Sequence, residues 1–301
     1  MMEKVKVLVI GGPTACGKSE LAVEMAELFN GEVVNADSVQ IYRGLNIGAA
    51  KPGKELLERV PHHLFDVAEV SSPWDVKRYE EEAFRVILEL HNRGRLPVVV
   101  GGSGFYIKGL LEGVASEAVK DEGLRRRLYS LDSEVLYKRL EEVDPERASA
   151  IHPHDKKRIV RALEIYYLTG KKPSSFGASG RERFDALKVA VVRDRDELRK
   201  RIEKRVDAMM EEGFLEEVVS LTEKYGVENR ILSTTLGYRE LCLYLKGELS
   251  LAEAVSLIKK RTWEYAKKQL RWFRKEGFVF FELPDGKRDV MDFVERWVNT
   301  P

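Results

Sequence analysis

The feature that most constrains this chain is a loop held between two kinds of periodicity. Residues 5–10, VKVLVI, alternate and then run apolar with β-branched side chains, as a buried parallel strand does. From Lys18 onward, Leu21, Ala22, Met25, Ala26, Leu28 and Phe29 recur at helical spacing. Between them stands GGPTACGKSE, which contains G-x-x-x-x-G-K-S from Gly12 to Ser19, the phosphate-binding P-loop pattern in the strand–loop–helix setting it requires. Its amides can converge on an anion, and the helix N-terminus adds partial positive charge. Lys18 brings a full charge, and the Ser19 hydroxyl is placed to reach a Mg²⁺ that phosphates also bind. Cys16 contributes its backbone only. Most chains with this loop hydrolyse or transfer a nucleotide's terminal phosphate, so the question is which phosphate this one holds.

Further strand and helix signals extend the unit. EVVNA runs up to Asp37, a helical pattern covers Val76 to Asn92, and LPVVV leads into GGSG at Gly101 to Gly104, with a helix beginning near Phe105. LKVAVV at Leu187 to Val192 and FVFFELP at Phe278 to Pro284 read as further strands, the last followed by a final helix. Strands alternating with helices predict an α/β fold: a P-loop parallel-sheet core with helices on both faces. Between about residues 117 and 186 strand signals stop. That segment is charged and helical, broken at Pro145, Pro153 and Pro173, with fifteen Lys or Arg against thirteen Asp or Glu. It reads as a helical insertion domain at 117–186, inside a catalytic core made of 1–116 and 187–301.

In such sheets ligands bind at the carboxyl ends of strands, where the P-loop, Asp37-Ser38 and the Gly101–Gly104 turn converge. A kinase or NTPase usually adds an apolar strand ending in Asp. LPVVV ends in glycines instead, which leaves Asp37 as the acid at a strand end near the loop. There it serves as a Mg²⁺ ligand, as a general base beside a held phosphate, or as a residue capping its own turn.

Composition limits the rest. The 301 residues are 44% hydrophobic, enough for a large core, and no apolar run reaches membrane-span length, so a cytoplasmic protein is expected. Two cysteines, Cys16 and Cys242, build neither a disulfide framework nor a zinc cluster. Net charge is +1, yet Lys259 to Lys275 carries eight Lys or Arg against one Glu, with Trp263, Tyr265, Trp272 and Phe273 interleaved. That mixture suits either a nucleic-acid backbone and its bases or an amphipathic helix with its aromatics in the core. His62 and His63 are expected to be structural, and the tyrosines of EIYYLTG to be core. With no zipper pattern, a monomer is the default.

GPTACGKS, NADSVQIYRGLNIGAAKP, PHHLFDV, VVVGGSGFYIKGLL, DKKRIVRALEIYYLTGKKPS and YAKKQLRWF, in this order over nearly the whole chain, resemble the tRNA dimethylallyltransferase family. The resemblance implies that the loop holds the pyrophosphate of dimethylallyl diphosphate. The isoprenoid then goes to N6 of the adenosine on the 3′ side of the anticodon, with Mg²⁺ as cofactor and tRNA, through its anticodon stem-loop, as partner. It implies that Asp37 is the general base; that Gly12, Pro13, Thr14, Ala15, Cys16, Gly17, Lys18 and Ser19 form the diphosphate site, with Ser19 toward the metal; and that Arg201 or Arg205 faces the diphosphate. Asp37, Ser38, Val39, Gln40, Ser103, Arg125 and the stretch Lys157, Arg158, Ile159, Val160, Arg161 are implied to contact tRNA, which makes the insertion at 117–186 a tRNA-binding domain. Thr234 to Tyr238 resembles a family turn near the substrate channel. A P-loop small-molecule kinase and a non-catalytic RNA-binding module are the alternatives. The first requires phosphate transfer from ATP without RNA, and the second an inert loop.

Overall fold

The computed structural model describes residues 4–72, 74–114, 121–175 and 183–300. Six parallel strands form one sheet: β1 (Lys6–Gly11), β2 (Gly31–Asn35), β3 (His62–His63), β4 (Leu96–Gly101), β5 (Asp185–Val192) and β6 (Val279–Glu282), in the order β3-β2-β4-β1-β5-β6. The central strands are apolar on both faces because both faces are covered. Val7 and Val9 of β1 enter one core, and Leu8 and Ile10 the other. Helices Val76–Asn92, Gly104–Glu112 and Phe214–Tyr225 pack on the first face through Tyr79, Ile87, Leu110, Phe214 and Val218. Helices Lys18–Leu28, Arg195–Glu211 and Lys287–Val298 pack on the second through Leu21, Met25, Ile202 and Val294. The 25-residue helix Leu251–Lys275 serves both cores: Ile258 and Phe273 enter the first, Ala266 the second.

The expected strands are present. The added one is β3, two histidines with no apolar alternation, paired to β2 at Val33 and Val34. His63 there meets the buried carboxylate of Glu32 at 2.7 Å, which Arg93 also grips through both oxygens. Among the described residues no helix is long and apolar enough to cross a membrane.

The chain divides into two compact units, Met1–Leu111 with Glu182–Pro301, and Glu112–Arg181. Both junctions fall a few residues before the expected bounds of 117 and 186. In the larger unit the two crossings meet where the Arg183 amide donates to the Leu111 carbonyl at 3.4 Å, just ahead of β5.

The smaller unit carries helices Glu122–Tyr129, Ser133–Val143, Pro145–Ser149 and Lys156–Thr169. Pro145 opens a helix at a position whose amide is unpaired anyway, behind the Asp144 cap. Burial alone would raise the Asp144 carboxyl, but hydrogen bonds from Ser174 and Arg147 outweigh it and hold it low. Leu128, Leu136, Leu140, Ile159, Val160 and Leu163 form this unit's core. Glu164 is fully buried beside them, held by Arg125 (2.8 Å), Arg161 (2.5 Å) and the Asp121 amide (3.1 Å). The tyrosines of EIYYLTG do not join the core. Tyr167 is 44% exposed and Tyr166 half-buried, because the apolar stripe of that helix ends at Leu163.

Candidate active site

The P-loop follows β1 and turns directly into helix Lys18–Leu28, whose first position is preceded by Gly17 at φ 98°. Gly12, at φ 151°, leaves no room for a side chain: a Cβ there would lie 2.4 Å from the Val191 carbonyl oxygen. The loop is pinned from distant parts of the sequence. Thr14 N–H donates to Gln269 Oε1 at 3.0 Å, and Gln269 Nε2 donates to the Gly102 carbonyl at 2.9 Å. Arg201 donates to the Ala15 carbonyl (2.9 Å), Arg193 to the Cys16 carbonyl (3.2 Å), and Lys18 to the Pro13 carbonyl (3.2 Å). Arg205 reaches Thr14 Oγ1 at 3.3 Å. Both arginines expected near the loop are therefore there.

Arg193 and Arg201 share Glu197, at 2.8 and 3.8 Å. Among the described residues no carboxylate lies within ion-pairing distance of Lys18 or Arg205. Burial, and secondarily the neighbouring Arg201 charge, lower the Arg205 pKa. Two cations without an ion-paired carboxylate, beside loop amides, make a site that favours an anion.

Asp37 stands two residues past β2, and its amide donates to Asn35 Oδ1 at 2.9 Å. Asp37 Oδ1 accepts from the Val39 and Gln40 amides at 2.8 and 3.4 Å, the turn-capping role. Nothing among the described residues donates to Oδ2. The two readings of Asp37 are thus compatible, one oxygen for the turn and one open. The Ser103 hydroxyl, 8% exposed, accepts from the Ser38 amide at 2.9 Å and donates to the Ser38 hydroxyl at 3.1 Å, tying β4 to the turn. Gln40 Nε2 donates to the carbonyls of Ala49 and Ala50 at 3.1 and 3.0 Å. The loop carrying those carbonyls is set by Glu217, which accepts from the amides of Asn46, Ile47 and Gly48 and from the Tyr238 hydroxyl at 2.6 Å. Gly48 is obligatory in this arrangement, since a Cβ would lie 2.1 Å from the Phe214 ring.

These elements enclose a cavity of about 820 Å³. The P-loop, Arg201 and Arg205 line it together with Asp37 to Gln40 and Gly48 to Lys51. Val206, Met209, Phe214 and Ile258 give an apolar wall, and Thr234 to Gly237 complete the lining with the Tyr265–Gln269 turn of the long helix. Lys18, Ser19 and Asp37 also share a small recess with His62. The basic tract separates into parts. Lys259 and Arg261 are paired with Asp207 and Glu240, while Lys260, Lys267, Lys268, Arg271, Arg274 and Lys275 are exposed.

The expected residues of the smaller unit fall into different roles within it. Lys157 and Arg158 are exposed. Ile159 and Val160 are 0% and 2% exposed, so their side chains belong to the core, and Arg125 and Arg161 bind Glu164. Gln269, Arg193, Glu217 and Tyr265 were not expected at the site. One signal was available: glutamine occurs at only two positions in the chain, Gln40 and Gln269, and both hold this cavity together.

A family model described as IPP transferase matches residues 40–276. The chain belongs to the IPP transferase family. A member named tRNA dimethylallyltransferase from Geobacter sulfurreducens is 47% identical over 284 residues, covering 92% of this chain and 91% of that one. Another so named, from Caldanaerobacter subterraneus subsp. tengcongensis, is 41% identical, covering 94% and 93%. The crystal structure of the full-length tRNA isopentenylpyrophosphate transferase from Bacillus halodurans superposes with a TM-score of 0.75 at 34% identity, covering 98% of this chain and 97% of that one. A eukaryotic dimethylallyltransferase described as acting on tRNA gives 0.80 at 32% identity, covering 92% and 73%. The all-parallel P-loop sheet read from the sequence is thus the family's fold in this chain.

Proposed function

We infer that this chain transfers a dimethylallyl group from dimethylallyl diphosphate to N6 of the adenosine 3′-adjacent to the anticodon of tRNA, releasing pyrophosphate. The observation that carries this reading beyond family membership is a pair of complementary features on one cavity. Cations without an ion-paired carboxylate line it with the loop amides, and so does a carboxylate oxygen without a donor. That is the requirement of an alkylation with an anionic leaving group and an amine nucleophile.

The diphosphate binds the N–H groups of Ala15 to Ser19 with Lys18, Arg201 and Arg205. The adenine amine attacks C1 of the dimethylallyl group, the C1–O bond breaks, and its electron pair leaves on pyrophosphate. Asp37 Oδ2 takes one N6 proton while Oδ1 stays in the turn, so the base is held in place as it reacts. The loop amides and cations stabilise charge where it accumulates, on the leaving group.

The donor set also fits a hydrated Mg²⁺. The described residues contain no group of three or more His, Cys, Asp or Glu able to hold a metal alone, and Mg²⁺ usually binds through few protein oxygens plus substrate phosphates. Ser19 is the hydroxyl that would hold it beside the diphosphate, where it would offset the negative charge of the leaving pyrophosphate. The loop, base and arginines of this mechanism all come from one chain, so the working unit is a monomer, acting in the cytoplasm on tRNA. Ser38, Val39 and Gln40 flank the entering adenosine, and the exposed Lys157 and Arg158 contact RNA phosphates.

Incubation with labelled dimethylallyl diphosphate and an unmodified tRNA transcript tests the reading. Label on N6 of that one adenosine, with an equal amount of pyrophosphate, is the expected result. No transfer, or phosphorylation of an acceptor by ATP, overturns it.

A further inference from the structure

The Lys259–Lys275 tract interleaves four aromatics with its basic residues, and the structure accounts for three of them as packing. Phe273 is fully buried against Gly11. Trp272 packs on Gly104, Phe273 and Phe278. Trp263 is partly buried in the second core with Lys267 over its ring. Tyr265 is different. It lies on the wall of the cavity that also holds Asp37 and the P-loop, and it remains 39% exposed. Its hydroxyl end lies beside Ser103 and Gln269, the side chains that hold the Asp37 turn and the P-loop. Burial of that hydroxyl end, with the Asp37 charge nearby, pushes the phenol up to about 12, so it stays protonated. The polar end is therefore enclosed, and what remains open is the ring.

If Asp37 takes a proton from the adenine amine, N6 must come within about 2.6–3.2 Å of it. The purine then lies where a ring on the same cavity wall, with its hydroxyl end beside Ser103 of the Asp37 turn, can cover one of its faces. A base lifted from a stacked loop loses stacking, at a cost of a few kcal/mol. A rigid aromatic in the receiving cavity restores part of it, whichever base edge is being read. We propose that Tyr265 is the platform on which the extruded adenine stacks while Asp37 meets its amine.

This rests on the tRNA transferase reading, and the experiment separates the two. Wild type, Tyr265→Leu and Tyr265→Phe are compared on an anticodon stem-loop RNA and on dimethylallyl diphosphate. Tyr265→Leu should lower kcat/KM for RNA by about 5- to 150-fold, the range of one lost base–aromatic stack. Its affinity for dimethylallyl diphosphate alone should hold, which also reports an intact fold. Tyr265→Phe should recover most of the loss. With 2-aminopurine in place of the target adenine, emission should stay quenched on wild type and Tyr265→Phe and rise on Tyr265→Leu. Unchanged RNA parameters and equal emission in all three proteins overturn the stacking role and leave the transferase reading standing. A loss confined to donor binding overturns it in favour of a role at the isoprenoid. A wild-type enzyme that transfers nothing to the RNA overturns both.

Discussion

Gln269, deep in the chain's last quarter, accepts the Thr14 amide proton at 3.0 Å and donates to the Gly102 carbonyl at 2.9 Å. One buried amide side chain therefore ties the P-loop to the end of β4. Gln269→Leu leaves an N–H and a C=O without partners, and should cost about 1–3 kcal/mol of stability, the usual penalty for such orphans. It should also raise KM for dimethylallyl diphosphate. Gln269→Glu keeps the acceptor but adds a negative charge beside the diphosphate loop, so its KM should rise further. Chemical denaturation and donor kinetics check both. Equal KM values for wild type and both variants would remove Gln269 from the donor site.

Asp37→Asn distinguishes the two oxygens of that side chain. Asn retains an acceptor for the Val39 and Gln40 amides, so the turn and the melting temperature should be nearly preserved. The open oxygen loses its basicity, and turnover should fall by about 10²–10⁴-fold, the usual contribution of a general base. Affinity for tRNA should change little. A variant that keeps most of its turnover shows that Asp37 is only a turn cap.

Arg158 and Arg161 lie one helical turn apart, yet their substitution should have unlike effects. Arg161 binds the fully buried Glu164, so Arg161→Ala should destabilise the smaller unit. With Arg125 still in place, the cost should fall toward the lower end of the roughly 3–5 kcal/mol typical of a broken buried pair. Arg158, 70% exposed beside Asp155, should leave stability alone. If it contacts a phosphate, Arg158→Ala should reduce the log–log salt slope of tRNA binding by about one. Melting curves and binding titrations across salt concentrations separate the two. A stable Arg161→Ala protein with a changed salt slope would reverse the assignment.

Glu164 also predicts a pH dependence. Burial alone would raise its carboxyl, but hydrogen bonds from Arg161 and Arg125 outweigh burial and hold it below the ordinary glutamate value. The unfolded chain then binds the proton more readily than the folded one. The stability that Glu164 contributes is complete above the ordinary glutamate value and is lost as pH falls through its lowered folded value. Melting temperature should drop over that acid window, and Glu164→Gln should flatten this part of the curve. Parallel curves for the two proteins would refute the assignment.

Local patterns made much of this legible. The P-loop, the parallel strands around it and Asp37 at the end of β2 all follow from residues close together in the chain. β3 does not, because two half-buried histidines become a strand only by pairing with Val33 and Val34. Arg161 is implied as an RNA contact by the family resemblance, which says nothing of an ion pair. Its partner could have been suspected, since Glu164 follows Val160 by four residues and so shares the apolar face of the helix. Gln269, Arg193 and Glu217 carried no local signal. Their roles exist only once segments more than 150 residues apart are brought together.

The P-loop is complete at Ser19, but the groups that make it a site, Arg193, Arg201, Arg205 and Gln269, arrive about 175 to 250 residues later. At translation speeds of about 5–20 residues per second, the nascent loop waits roughly 10–50 s for the last of them. The whole smaller unit is made in that interval, and until β5 emerges β1 has one open edge in a sheet that will be buried. A growing chain therefore gains no stabilisation from its own donor at this complete site until the helix Leu251–Lys275 has left the ribosome. Ligand-assisted folding of this site can begin only after all four of those side chains have been made.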